Sequence, residues 1–497
     1  MSTAVQAAAN TGSGTAAYAR RIPEDTILYG VVSDKLTTFL AHAERSGRTV
    51  PAFVERELAR YLECGILAYG FVRVRCSACR HDRVVAFSCK GRGFCPSCGG
   101  RRMADTAAFL VDRVLPIAPV RQWVLSLPIA LRYKLAYDSQ LAAEVLQLFV
   151  RSVFASLRRR ARHKYGFARY DCGSVTFIQR FGDALNLNLH FHSIVIDGVY
   201  EQEQGGAVRF RRLPPPTNAD VERTTRRIVR RLGRLLIARG LTPDADAAAA
   251  DTLPEDQPLL AEIYAASVRS RIAIGERAGL GVLRIGDLVD PEAAAFVTGP
   301  RSTMIDGVSL HANVAVPAGD RRRLEKLCRY IARPPVSTQR LSKLGDGRLL
   351  YRLKRRWRDG TTHVVFQPLE LVEKLAAIVP PPRIHMVRYH GVLAPRATCR
   401  RQVVAARNAK RERRDEIDDS ARDCTHTPRR WTPWAKLMQR VFAIDVLECP
   451  RCGGKMKILA TIHPPEATTA ILESLGMSPR APPPAASSLR AGSEDTF

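Results

Sequence analysis

Two histidines separated by one residue, His190-Phe191-His192, lie inside the apolar run NLNLHFHSIVIDGVY from Asn186 to Tyr200. Leu187, Leu189, Phe191, Ile194 and Ile196 give this run the content of a core strand. On a strand, alternation sends both imidazoles to one face and Phe191 to the other. Two imidazoles side by side can hold a divalent metal and leave coordination positions for a substrate. A lone His-x-His is equally compatible with two satisfied strand histidines, so the rest of the chain has to decide.

A second reactive group sits at helical spacing. LEKLCRYIARPPVSTQRL carries Tyr330, with Leu324, Leu327 and Ile331 along the apolar stripe and Arg329, Arg333 and Arg340 nearby. A tyrosine can attack a phosphodiester and store the bond as a phosphotyrosine. With a pKa near 10, only about 0.1% is phenolate at neutral pH, so it needs an activator. A metal on the scissile phosphate is such an activator, because it makes phosphorus more electrophilic and stabilises transition-state charge. Taken alone, Tyr330 reads as an amphipathic-helix residue with its hydroxyl at the surface.

The cysteines offer a different chemistry. Cys76-x2-Cys79 and Cys95-x2-Cys98, with 15 residues between the pairs, have the spacing of two knuckles closing one tetrahedral four-thiolate zinc site. Four protein ligands leave no open position, so such a site is structural. Cys64 and Cys89, at the edges, could form a second site or replace one ligand. Cys449-Pro-Arg-Cys452 is a lone knuckle, with Cys424 and His426 its nearest candidate partners; an unmetallated turn or pairing with another subunit are the alternatives. Lys90, Arg92, Arg101 and Arg102 around the cysteines suggest a surface that faces DNA.

These groups need elements to position them. Helical spacing is expected over 25–70, in RRMADTAAFLVDRVLPI up to Pro116, over 139–165, Ala219–Arg239, Arg321–Arg333 and Pro368–Ile378. Strands are expected at Arg121–Leu127, Val175–Phe181, Leu187–Ile196 and 307–316, with a hairpin from RLLYRLKRRW to TTHVVF through Asp359-Gly360. The organisation expected is a disordered tail over 1–24, a helical and zinc-binding region over 25–118 and a catalytic domain over 119–378 with an inserted loop at 241–260. A basic region with the last knuckle follows over 379–477, and then a disordered tail over 478–497.

Composition narrows the function. The chain has 497 residues, 46% of them hydrophobic, enough for two or three domains with cores. Against 48 Asp and Glu it sets 77 Lys and Arg, a net charge of +29, spread along the whole length. That balance points to a polyanionic partner, since each cation placed on a phosphate releases counterions. Twelve cysteines without a secretion signal point to a reducing compartment and to metal binding. No membrane span is expected from the hydropathy, and no internal repeat is visible.

HFH on a strand, then a Tyr-x-x-Arg helix, behind paired cysteine knuckles, resembles the HUH endonuclease superfamily. More narrowly it resembles the insertion-sequence-91-type rolling-circle transposases with their N-terminal transposase zinc-binding domain. The resemblance spans about residues 30 to 460, through CSACRHDRVVAFSCKGRGFCPSCGGRRMADTAAFLVDRVLP, WVLSLPIALRY, IQRFGDALNLNLHFHSIVIDGVY, LCRYIARPPVSTQRL, WRDGTTHVVFQPLELVEKLAAIVPPPRIHMVRYHGVLAP and VFAIDVLECPRCGG. It implies an α+β fold: an HUH-type antiparallel sheet flanked by helices, preceded by a helical segment and a four-cysteine zinc module, and followed by a basic, partly disordered tail. It implies that His190 and His192 bind magnesium or manganese. A third polar ligand is common at such sites but is not placed by the motif; Gln179, on the neighbouring strand, and His311, on the later SLHAN strand, are the candidates. Tyr330 would nick one DNA strand, leaving a 5′-phosphotyrosine and a free 3′-hydroxyl, with Arg333 on the phosphate. The implied partners are single-stranded DNA at insertion-sequence ends, target DNA and host unwinding factors, in the bacterial cytoplasm at the nucleoid. Several members carry two tyrosines four residues apart; here Lys326 holds the earlier position, which resembles a single-tyrosine branch. A non-catalytic zinc-dependent DNA-binding protein and a phosphoesterase that uses water are the rival readings.

Overall fold

A computed structural model describes residues 21–203, 205–241, 252–287, 299–405, 434–442 and 445–481. The expected tails before 21 and after 481, most of the inserted loop at 242–251, and Cys424 and His426 lie outside the described residues. The chain opens with α1 (Ile27–Arg45), capped by the Thr26 hydroxyl, which accepts from the Tyr29 amide, and α2 (Ala52–Glu63). A hairpin of β1 (Phe71–Cys76) and β2 (Asp82–Ala86) follows. Then come α3 (Pro96–Phe109), which passes into a π-turn at Leu110–Val114, and β3 (Val120–Ser126).

After α4 (Ile129–Tyr137) and the long α5 (Ser139–Tyr165), β4 (Gly173–Phe181) and β5 (Leu187–Ile196) form the central hairpin. In its turn the Asn186 side chain lies against Gly182, where a Cβ would lie 2.2 Å from Asn186 Oδ1. Next are α6 (Asn218–Ala238), closed by a Thr217–Asp220 capping box, α7 (Pro258–Val268), β6 (Leu283–Gly286), β7 (Ser302–Ile305) and β8 (Val308–His311). The chain continues through α8 (Arg321–Ile331), β9 (Leu341–Lys343), β10 (Leu349–Arg352), β11 (Thr361–Phe366), α9 (Pro368–Ile378) and β12 (Val387–Gly391). It ends in α10 (Trp434–Phe442) and β13 (Met456–Ile462), followed by a short helix.

The fold is α+β. Its main sheet is antiparallel in the order β7-β8-β3-β5-β4-β12, which places the histidine strand at the centre with β3 and β4 on either side. Period-2 alternation divides this sheet cleanly. Trp123, Leu125, Ile178, Leu189 and Phe191 face α5 and α6, with Phe191 stacked on Phe149 at 6.4 Å. Val120, Val175, Phe177, Ile194 and Ile196 face the other way, against α3, the π-turn and α8. A buried ion pair, Arg121 to Asp197 at 2.7 Å, ties β3 to the end of β5.

By length and composition α5 could cross a membrane, but 67% of its most apolar window is buried in the protein, where it covers the back of the sheet. The boundaries expected near 118 and 379 are both crossed in space. Side chains of α1 and α2 share a core with α7, α9 and the β9–β11 hairpins, and β13 pairs with β1.

Candidate metal and tyrosine centre

The cysteines divide differently from the sequence expectation. Cys64, Cys89, Cys95 and Cys98 form one buried group, and Cys76, Cys79, Cys449 and Cys452 form another, with all sulfurs of a group within 4.8 Å of one another. A single site of Cys76, Cys79, Cys95 and Cys98 is therefore corrected. The hairpin explains the division. Cys64 precedes β1 and Cys89 follows β2, so both lie at its base, whereas Cys76 and Cys79 make its tip. Six strand residues at about 3.3 Å each put base and tip roughly 17–20 Å apart, too far to share one ion.

Both groups fit a thiolate-bound zinc. A tetrahedron with 2.3 Å bonds has edges of about 3.8 Å. The sulfur separations are 3.7 Å for Cys64–Cys98, 3.6 Å for Cys64–Cys95, 3.5 Å for Cys76–Cys452 and 3.6 Å for Cys79–Cys449. Backbone amides support the sulfurs, from Cys89 to Cys64 and from Gly91 to Cys89. In the second group the amides of Cys79 and Ala78 hold the Cys76 thiol down to about 6, a thiolate at neutral pH. Cys95 is the N-cap of α3 and Cys98 lies in its first turn, so the buried group anchors the start of that helix.

That helix leads to Tyr330. Leu324, Leu327, Cys328 and Ile331 bury one stripe of α8 against the sheet and α3, with Asp320 capping its first turn. Arg321 donates to the carbonyls of Val111, Leu115 and Pro116, locking the start of α8 onto the π-turn. At the other end a Cβ on Gly99 would lie 2.6 Å from Pro334, so α3 and the chain just after α8 touch at van der Waals distance. Tyr330 falls off the buried stripe and keeps 39% of its surface exposed.

The two imidazoles lie 4.8 Å apart, centroid to centroid, on the face that α8 covers. His190 Nδ1 is 2.8 Å from the Asn188 carbonyl, which only accepts, so the neutral ring carries its proton there and leaves the Nε2 lone pair free. His192 Nδ1 is 2.7 Å from the Gln122 amide; half a turn of that amide would present its oxygen and fix the same tautomer. Burial pushes His190 down to about 4 and His192 well below its ordinary value, so both are neutral near pH 7.

Gln179 faces His190 across the β4–β5 pair. Its amide nitrogen donates to the Ile331 carbonyl at the end of α8, and its Oε1 is buried with no hydrogen-bond partner, an acceptor that a cation would satisfy. His311 aligns with His192 through Val124, two strands away, about 9–10 Å at the backbone.

Arg333 connects the parts. Its guanidinium lies over the Tyr330 ring at 4.7 Å and over Phe181 at 5.5 Å, and its charge reaches both imidazoles. Lys354, just after β10, also sits over the Tyr330 ring, 3.7 Å from its centroid. Sequence reasoning missed Lys354 and Gln122. Lys354 is one cation in the run RLKRRWR, and Gln122 is a lone polar residue in a strand; neither has a spacing that singles it out.

Residues 173–402 match a family model described as "Putative transposase", and residues 32–127 match the transposase zinc-binding domain of the insertion-sequence-91 type. The chain belongs to the insertion-sequence-91-type transposases. No curated protein and no solved structure matches it. The transposase's first match contains the histidine pair, Gln179, Tyr330, Arg333 and Lys354; its zinc-binding match contains six of the eight clustered cysteines and stops short of Cys449 and Cys452. On the far side of the sheet the transposase carries a second cationic surface along α6. There burial, and then crowding by Arg231, Arg230 and Arg159, holds Arg227 below the ordinary arginine range.

Proposed function

We propose that this transposase nicks single-stranded DNA at insertion-sequence ends through Tyr330, and transfers the strand by a rolling-circle route. The observation that carries this reading is the placement of an exposed tyrosine, flanked by Arg333 and Lys354, on a helix tied through Gln179 to the strand beside the histidine pair. A magnesium or manganese ion held by His190, His192 and the Gln179 Oε1 would polarise the scissile phosphate. Tyr330 Oη bonds to phosphorus as the bond to the 3′ oxygen breaks, and the phenolic proton is balanced by the one on the released 3′-hydroxyl. Arg333 and Lys354 are placed to meet the phosphate charge. With Lys326 four positions before it, Tyr330 acts alone within a subunit. The second transfer then needs its reuse or a partner subunit.

The test is to incubate single-stranded element-end DNA with the protein and either metal. We expect a protein–DNA adduct that survives denaturation. Cleavage without adduct would move the assignment to a water-using phosphoesterase, and binding without cleavage to a zinc-dependent regulator. The action takes place in the bacterial cytoplasm, with host factors supplying unwound DNA.

Two smaller effects are expected of the same assay. Because burial already keeps His190 and His192 neutral, with His190 near 4, protons do not compete for their lone pairs between pH 8 and 6. Adduct formation should therefore show no fall with a midpoint near 6.5, the value of an unperturbed histidine; such a fall in the pH–rate profile would count against the pair as ligands. Gly99→Ala puts a methyl group against Pro334 and displaces the end of α8. We expect nicking to drop roughly ten- to a hundredfold at unchanged zinc content, since a misplacement of about 1 Å can cost that much.

A further inference from the structure

The second thiolate group joins parts of the chain 370 positions apart, Cys79 with Cys449. We propose that Cys76, Cys79, Cys449 and Cys452 bind a second zinc ion, and that this ion is a clasp holding the C-terminal segment 434–477 on the zinc-binding module and on the tyrosine-bearing helix.

The geometry is that of a two-knuckle ribbon. β13 pairs antiparallel with β1, from Phe71 opposite Ile462 to Cys76 opposite Met456, and this register delivers the Cys449–Cys452 knuckle to the hairpin tip. The second knuckle closes on itself through the Cys449 amide to the Gly454 carbonyl at 2.8 Å, and on the first through the Ser77 amide to Lys455 at 3.1 Å. A Cβ on Gly454 would lie 3.1 Å from Cys76 Sγ and 3.2 Å from Cys452 Sγ, so glycine lets the knuckle approach the sulfurs. Separations of 3.5 and 3.6 Å are far longer than a disulfide and close to the edge of a thiolate tetrahedron.

Among the described residues, the apolar packing that holds β13 is small. The apolar groups beneath β13 are two small clusters, Val74 with Cys76, Cys449 and Met456, and Phe71 with Leu67, Val84, Ile462 and Leu472. Ile458 and Leu459 on the strand are 67% and 50% exposed. A unit with so small a core needs a metal or a cross-link to stay folded. Before β13, Leu437 of α10 packs on Ala104 and Ala108 of α3. Arg440 then pairs with Asp112 of the π-turn and, at 2.6 Å, with Glu325 of α8. The clasp therefore ends, through α10, on the helix that carries Tyr330.

Native mass spectrometry of the full chain should show two zinc ions, and the double variant Cys449→Ser/Cys452→Ser should show one. Limited trypsin digestion should release the C-terminal segment at least about tenfold faster from that variant than from wild type. Arg440→Ala should keep both ions. If the double variant does not fold, stepwise chelation of the wild type gives the same answer. Cys79 and Cys452 are exposed whereas the other group is wholly buried, so the first ion removed should expose the C-terminal segment to trypsin. One zinc in the wild-type chain, or unchanged digestion after loss of the first ion, overturns the proposal. A matching fall in adduct yield in both variants would extend the clasp to Tyr330; that arm alone rests on the nicking reading, and the zinc count and digestion stand without it.

Discussion

Tyr330→Phe is expected to reduce covalent adduct formation below about one thousandth of wild type while leaving DNA binding within a fewfold, because the substitution removes one oxygen and nothing that shapes the fold. The tyrosine is 39% exposed, its ring is contacted by Arg333 and Lys354, and it lies off the apolar stripe that docks α8. Loss of activity therefore cannot be assigned to loss of packing. His190→Ala and His192→Ala remove the proposed ion's main ligands. With Lewis-acid stabilisation worth several kcal/mol, adduct yield should fall roughly 10²- to 10⁴-fold. His192→Ala also strands the Gln122 amide in a buried strand, so a lower Tm is expected there and not for Tyr330→Phe. The measurement is a denaturing gel of labelled single-stranded DNA, with filter binding in parallel. Robust adduct from Tyr330→Phe would require a different nucleophile, and the reading would fail.

The electrostatics around the tyrosine make a graded statement within the same series. Arg333 both stacks on the ring and donates to the Tyr330 carbonyl at 3.1 Å, so Arg333→Ala loses charge and helix-end support together. Lys354 comes from the β10–β11 region and places its ammonium over the ring, and Lys354→Met removes that charge while keeping an unbranched side chain of similar length. The larger loss is expected for Arg333, the smaller, about tenfold, for Lys354.

Where the sequence carried a strong period, the fold was legible. Leu187–Ile196 has apolar content and alternation that a helix could not use, and the strand has those bounds. Arg121–Leu127, expected beside it, is displaced by a single residue as Val120–Ser126. The basic helix at 139–165 has its expected limits because Asp138 caps it and Gly166, at φ 85, ends it. The partition of the cysteines was not legible, because spacing records neighbours along the chain and a hairpin brings together its distant ends. Cys64 and Cys89 meet only because β1 and β2 run back on each other. Cys449 meets Cys79 only because β13 adds to that sheet. Gln122 was invisible for a related reason: its role depends on a diagonal neighbour in the next strand, which register sets and composition does not.

Breaking the buried thiolate group should be the most damaging change to the molecule's architecture. Cys64, Cys89, Cys95 and Cys98 are all below 8% exposed and lie in the same core as Phe39, Tyr61 and Phe94, with Tyr61 and Phe94 rings 5.1 Å apart. Structural zinc in small modules contributes about 10–16 kcal/mol of apparent binding energy, as large as the whole stability of a typical domain at about 5–15 kcal/mol. Cys98→Ser leaves a three-thiolate remnant and a hydroxyl in an apolar setting, so the region from α2 to α3 should not hold its native structure. The consequence extends beyond the module, because α3 begins at these cysteines, meets Pro334 at Gly99 in its first turn, and packs further along on the buried stripe of α8. We therefore expect Cys98→Ser to lose the buried-site zinc, lower the Tm by more than 10 °C or drive aggregation, and abolish adduct formation. Loss of the exposed group should spare most of the Tm and loosen only the C-terminal segment. A Cys98→Ser protein with wild-type Tm and zinc content would show that the four buried sulfurs are core packing alone, and the route from metal to Tyr330 through α3 would then have to be abandoned.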